Sequence, residues 1–241
     1  MREILKLEGV SKNYGAVTVA NDITYSVMEG EAVGIIGPNG AGKTTMFNMI
    51  SGDVRPNIGH VQFEGQRIDH LPPSARCHRG IGRSYQVPHP FTGMTVLENV
   101  LVGGTYGAGM PEREAVDHCI SVLERTGLHT KMNTLAGSLT LLDRKRLELA
   151  RALSTKPKLL LLDEIAGGLT EHEVHALVDM VKSIHAEGIS IIWIEHIVHA
   201  LMAVVDRLIV LNFGRLLKNG DPKEVMESEE VREIYMGIEL Q

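Results

Sequence analysis

The sequence predicts an α/β protein: a parallel sheet covered by helices, with a helical block inserted into it. Three observations carry that expectation. Ala32-Val33-Gly34-Ile35-Ile36, the leucine run 159–162 and the strand pattern 189–194, apolar over 191–194, have the length and composition of buried strands. In the last third of the chain such runs alternate with helical pattern, strand 159–162, helix 171–186 and strand 189–194, as parallel sheets require. Between about 88 and 156 the pattern is helical throughout, so that stretch reads as an inserted subdomain of one domain spanning 1–241.

From the N-terminus, Ile4, Leu5 and Leu7 precede a turn near Gly15, and Ile23-Thr24-Tyr25-Ser26-Val27 is rich in strand formers. The run 32–36 leads through a glycine-rich turn into 44–50, which has helical character. Val61-Gln62-Phe63-Glu64 alternates as an edge strand does. Segments 95–102 and 112–126 read as helices, the second with Pro111 in its first turn and Gly127 as its cap. Segment 143–154 is a third helix, stopped by Pro157. Strands 207–211 and 215–218 pair across a turn at Asn212-Phe213-Gly214, and the charged stretch 224–233 reads as a solvated surface helix. The chain has no internal repeat and no low-complexity tract.

Composition narrows the function classes. A hydrophobic fraction of 44% over 241 residues supports an ordinary globular core. The net charge of −6 argues against nucleic acid as a partner, although backbone amides and one lysine suffice for a nucleotide phosphate. Cys77 and Cys119 fit no disulfide or metal spacing and read as reduced thiols. The start, broken by Arg2, Glu3, Lys6 and Glu8, does not read as a signal peptide. The longest apolar stretches, 159–162, 191–194 and 201–205, fall well short of the roughly 20 residues of a membrane span. If this chain works at a membrane, it does so by docking onto something that spans it. His172-Glu173-Val174-His175 has its second histidine one residue too early for a zinc helix, and His196 with His199 lacks a third ligand, so no zinc is expected.

Two motifs carry chemistry. Gly37-Pro38-Asn39-Gly40-Ala41-Gly42-Lys43-Thr44-Thr45 matches the phosphate-binding pattern G-x-x-x-x-G-K-[ST], with an apolar strand before it and a helix after it. The glycines let the backbone curl so that successive N–H groups face phosphate oxygens, and the helix adds its positive end. Lys43 is expected on the β- and γ-phosphates of ATP and Thr44 on Mg²⁺. Leu159-Leu160-Leu161-Leu162-Asp163-Glu164 is an apolar strand ending in two acids. Asp163 is expected to bind Mg²⁺, and Glu164 to act as general base toward the attacking water.

With these motifs in place, the chain resembles the ATP-binding subunits of ABC transporters over essentially its whole length. The resemblance implies a P-loop fold with an antiparallel β subdomain and the helical subdomain at about 88–156. It also implies roles for three further residues. Tyr14, in Val10-Ser11-Lys12-Asn13-Tyr14-Gly15, matches the aromatic platform for adenine, and would otherwise be a half-buried strand tyrosine. Gln86, in Gly82-Arg83-Ser84-Tyr85-Gln86, matches the glutamine that joins the Mg²⁺ shell. His196, after a strand and Glu195, matches the switch histidine at the γ-phosphate. The implied partners are membrane-spanning permease subunits, a second ATP-binding subunit and, indirectly, a substrate-binding protein. The implied location is peripheral, on the cytoplasmic face of the inner membrane.

Residues 79–86, the stretch Phe91-Thr92-Gly93-Met94-Thr95-Val96-Leu97-Glu98-Asn99-Val100 and the ending Glu233-Ile234-Tyr235-Met236-Gly237 are most similar to the branched-chain amino acid uptake group. Lipopolysaccharide-export ATPases share a comparable tail and form the alternative, beside an ATP-responsive clamp with weak hydrolysis. Two loops depart from the family. Its L-S-G-G-Q signature corresponds to Leu139-Thr140-Leu141-Leu142-Asp143, without either glycine or the glutamine. After Glu164, the usual proline and Asp/Asn are Ile165 and Thr170. In this family both loops face the partner's nucleotide, so a heterodimer with unequal sites is expected in preference to a homodimer. In that expectation Leu141 and Leu142 add bulk before a helix starting at Arg144, and Asp143 adds negative charge near the phosphates.

Overall fold

The computed structural model describes residues 2–239, and for 235–239 the backbone alone. Tyr235, Met236 and Gly237 of the C-terminal similarity are therefore described by backbone alone, and the side chains of the two former lie outside the described residues. The elements run β1 (Glu3–Tyr14), β2 (Val17–Met28), β3 (Ala32–Ile36), α1 (Lys43–Ser51), β4 (Ile58–Phe63) and β5 (Gln66–Arg67). Next come α2 (Pro73–His78), β6 (Ile81–Ser84), α3 (Val96–Val102), α4 (Glu112–Arg125), α5 (Leu141–Ser154), β7 (Leu159–Asp163) and α6 (Glu171–Ala186). The chain closes with β8 (Ser190–Ile194), α7 (Val198–Met202), β9 (Arg207–Asn212), β10 (Arg215–Gly220), α8 (Pro222–Glu227) and α9 (Glu229–Glu239). They fall into two compact units: Met1–Pro72 with Ser190–Gln241, and Pro73–Ile189.

The first unit holds two sheets. One is antiparallel, in the order β2-β1-β4-β5, with Leu7 opposite Tyr25 on one side and Val61 on the other. Leu5, Leu7, Val10, Ile23 and Val27 are fully buried along its inner face. In the other, β3 lies parallel between β8 and β9, with Gly34 level with Trp193 and Leu208, and β10 adds antiparallel to β9. Every residue of β3 and β8 is buried, which is why β3 and, after Ser190, β8 read as apolar runs rather than alternating ones. The β9–β10 turn places Phe213 at φ 45° and Gly214 at φ 73°, the left-handed pair that a two-residue hairpin needs.

The second unit pairs β6 parallel to β7, Ser84 level with Leu162, and packs α3, α4 and α5 into a helical layer. Val96, Val100, Cys119, Val122, Leu123, Leu147 and Leu149 form its core with no exposed surface. Burial pushes the Cys119 thiol up to about 11 and raises Cys77 as well, so neither is a ready thiolate. Helix starts are set by side-chain caps. Thr95 and Glu98 form a reciprocal capping box for α3, and Thr170 with Glu173 does the same for α6.

Several boundaries differ from the sequence expectation. α5 begins at Leu141, not at 143 or 144, because Thr140 accepts the Asp143 N–H as its N-cap. Pro111 is the N-cap of α4 rather than a residue of its first turn. The tail is two helices, because Ser228 takes an extended conformation (φ −66°, ψ 140°) and breaks the run. The short α2 and α7 and the π-helical turn Gly103–Gly107 had no periodicity long enough to read.

Candidate active site

In the first unit, the loop 37–42 joins the end of buried β3 to the start of α1. Two glycines are required by packing. A Cβ on Gly37 would stand 2.2 Å from the Leu211 carbonyl oxygen, and one on Gly42 would stand 2.3 Å from that of Val19. Gly42 also sits at φ 97°, a conformation that favours glycine. It is the N-cap of α1 and offers no side chain to the first turn, which carries no acid either. The positive end of α1 is thus left to an anion. Lys43 is only 6% exposed and folds back over the loop, its Nζ donating to the carbonyls of Gly37 (2.7 Å) and Pro38 (3.1 Å). Pro38, Asn39, Gly40 and Thr45 belong to the same turn and first helical turn, with Asn39, Gly40 and Thr44 exposed and Ala41 buried.

Two other expected residues belong to this unit. Tyr14 closes β1 with 48% of its surface exposed, and the Lys12 ammonium lies 5.3 Å from its ring centroid. Tyr14 is therefore a half-exposed ring, accessible for stacking. His196 follows β8 and is exposed; its backbone N–H donates to the carboxylate of buried Glu195 at 3.2 Å.

In the second unit, β7 delivers Asp163 and Glu164. Asp163 is 3% exposed, and its carboxylate takes a 2.9 Å ion pair from Arg83 of β6. The Arg83 guanidinium also lies 4.7 Å from the Tyr85 ring centroid. Glu164 sits at φ 47°. For a residue with a Cβ the left-handed region costs about 1–2 kcal/mol, and such strain persists where the surroundings impose it. Gln86 Nε2 donates to Glu164 Oε2 at 2.5 Å. Lys145, on α5, donates to the carbonyl of Gln86 (2.7 Å) and to that of Glu164 (3.3 Å). Gln86, Asp163 and Glu164 lie in one cluster, an arrangement the family resemblance implied, together with Arg83 and Lys145, which motif reading missed. No spacing rule could have found those two, because the Arg83 partner lies 80 residues away and those of Lys145 lie 59 and 19 residues away.

The loop after Gln86 is also held. Glu148 is 5% exposed, and burial pushes its carboxyl above the ordinary range against the pull of Arg151 and the N–H groups of His89 and Tyr85. Arg151 donates to the His89 carbonyl at 2.8 Å and lies over the Phe91 ring. With its backbone tied down, the loop leaves Tyr85, Val87 and Phe91 exposed by 44%, 59% and 45%.

The first turn of α5 corrects one expectation. Asp143 is not a free charge. It is 4% exposed, receives Lys131 Nζ at 2.5 Å and lies 2.9 Å from the Thr140 hydroxyl. Leu141 remains 46% exposed, and its Cδ2 would lie 3.3 Å from a Cβ placed on Gly168, in the loop after Glu164. What the substitutions add at this helix end is bulk, not charge.

Comparison with known proteins agrees with this arrangement. A family model described as ABC transporter matches residues 20–167. The high-affinity branched-chain amino acid transport ATP-binding protein BraF of Pseudomonas aeruginosa is 33% identical over 98% of this chain and 98% of its own length. The lipopolysaccharide export system ATP-binding protein LptB of Acidithiobacillus ferridurans is 34% identical over the full length of both. Among solved structures, the ADP conformation of an ATP-binding cassette of an ABC transporter superposes with a TM-score of 0.90 at 32% identity, covering 98% of this chain and 100% of that one.

Proposed function

This chain belongs to the ABC transporter family as an ATP-binding, ATP-hydrolysing subunit that works with membrane permease subunits, and on that premise we propose the roles of its residues and the cargo it serves. The loop amides of 37–42 and Lys43 hold the ATP phosphates, and Tyr14 stacks on the adenine. Thr44, Gln86 and Asp163 are hydroxyl, amide and carboxylate oxygens, the hard donor set that suits Mg²⁺, which when bound neutralises charge on the phosphates. Glu164 takes the proton of the attacking water and His196 contacts the γ-phosphate. The observation that carries the reading is Glu164 itself: a strained residue directly after a buried strand, its carboxylate held by Gln86.

The cargo in this proposal is a branched-chain or related amino acid, taken up through a permease fed by a substrate-binding protein. The similar stretches 79–86 and 91–100 support it. Identity does not separate the amino acid and lipopolysaccharide relatives, at 33% and 34%. Reconstitution with the co-purifying permease decides. ATP turnover stimulated by an amino-acid-loaded binding protein supports uptake; stimulation by lipopolysaccharide alone overturns it. No helix among the described residues is long and apolar enough to cross a membrane, so the chain is proposed to sit peripherally on the cytoplasmic face, held by its permease.

We place the permease contact at the exposed loop Val87-Pro88-His89-Pro90-Phe91, at the start of the helical subdomain of about 88–156. Exposed apolar groups on an anchored backbone make a docking surface. A cysteine at His89 is expected to crosslink to a cytoplasmic permease loop in the assembled complex. A series of crosslinkers that never joins the two at any length would rule the contact out.

Leu141 and Leu142 support a heterodimer with unequal sites. The bulk at the α5 start keeps the backbone away from the nucleotide bound to the partner, so that site binds ATP and turns it over slowly. The site on this chain's own loop is competent if the partner supplies an intact signature. Disabling Glu164 is then expected to abolish turnover of the complex, and disabling the equivalent glutamate in the partner to leave most of it. Equal losses, or full activity of this chain alone as a homodimer, would contradict the unequal-site arrangement.

A further inference from the structure

We propose that Lys145 is a positioning residue that sets the catalytic geometry of Glu164 and ties it to the helix that begins with the altered signature; this rests on the reading of Glu164 as the general base. Lys145 lies on α5 and is only 4% exposed. A buried ammonium is costly unless its donors are satisfied. Here it donates to two main-chain carbonyls, Gln86 at 2.7 Å and Glu164 at 3.3 Å. Those same two residues meet through their side chains, Gln86 Nε2 to Glu164 Oε2 at 2.5 Å. One ammonium therefore fixes the backbone at both ends of the contact that orients the carboxylate.

The geometry of Glu164 explains why such a pin is needed. At φ 47° the residue is held in a conformation it would leave if unrestrained. Its carbonyl is one of the atoms Lys145 grips, so the strain is resisted at the residue that bears it. Release would let the turn relax, and a base displaced by about 1 Å can lose on the order of 10²-fold in rate. Lys145 reaches Glu164 and Gln86 through their main-chain carbonyls.

The grip also has a second consequence. Lys145 stands one helical turn beyond Thr140–Leu141, the start of α5. A rigid helix transmits displacement of its first turn to residues a few positions on. A change at the signature end therefore moves the ammonium, and through it the Gln86 and Glu164 backbones. The clamp makes this chain's base sensitive to whatever engages its signature.

The test uses the full chain in complex with its permease, comparing Lys145→Met, Lys145→Arg and Glu164→Gln. The methionine variant keeps the length of the side chain but no donor. It is expected to lower kcat about tenfold or more while KM and ATP affinity stay within about threefold, and the arginine variant, which keeps donors, to recover most of kcat. In the Glu164→Gln background, Lys145→Met is expected to cost nothing further, because it acts through that residue. A Lys145→Met enzyme with unchanged kcat overturns the proposal. So does one that loses ATP affinity and kcat together, since that is a general structural loss. If the methionine variant does not fold, Lys145→Gln, whose shorter, uncharged amide keeps two N–H donors, is read by the same kcat-against-KM split. A Glu164→Gln enzyme that retains turnover would overturn the base assignment instead, and that outcome is distinct from any result at Lys145.

Discussion

Glu164→Gln is expected to keep ATP affinity and to lower turnover by about 10²–10⁴-fold, the usual loss on removing a positioned base. The substitution changes little else. Both residues carry a Cβ, so the strain at φ 47° is the same in each. The side-chain oxygen that accepts from Gln86 Nε2 has a counterpart in the amide oxygen, and the Lys145 bond goes to a main-chain carbonyl that is untouched. What is lost is the ability to take a proton. Calorimetric affinity for Mg-ATP and phosphate release, measured on the same preparation, separate the two quantities. Turnover within a few-fold of the parent would mean that the base lies elsewhere.

Lys43→Ala is expected to weaken Mg-ATP binding about ten- to hundredfold, the scale of losing one to two charge-assisted hydrogen bonds. Two effects add. The ammonium that neutralises phosphate charge is gone, and so are the bonds to the Gly37 and Pro38 carbonyls that hold the loop closed. The fold should survive, because the loop's shape is imposed independently by Gly37 against Leu211 and Gly42 against Val19. An unchanged thermal transition with weakened binding by calorimetry is the expected pair of results. A folded variant with the parent's ATP affinity would remove Lys43 from the phosphate site.

Much of this protein was legible in the chain itself, for local reasons. A glycine that must approach a carbonyl and a lysine six residues on are neighbours in sequence, so the loop 37–45 could be read directly. The buried strands 32–36 and 159–163 announced themselves as apolar runs because parallel strands are covered on both faces. The order Gln86, Asp163, Glu164 was readable by similarity, and the three do cluster. Boundaries set by one capping hydroxyl, at Thr140, and by one extended serine, Ser228, were not, since several residues compete for each such role.

Tertiary structure alone decided how the charges are spent. Asp143 read as a negative group facing phosphates; folding buries it against Lys131 and Thr140. Arg83, Lys145, Glu148 and Arg151 belong to no motif, lying along a strand and a helix. The fold gives them Asp163, the carbonyls of Gln86 and Glu164, and the backbone of the loop at His89. The physical reason is that a motif encodes contacts between residues close in the chain, through backbone conformation and spacing. The partner of a buried charge is whichever opposite group packing brings within reach, and that depends on the whole fold.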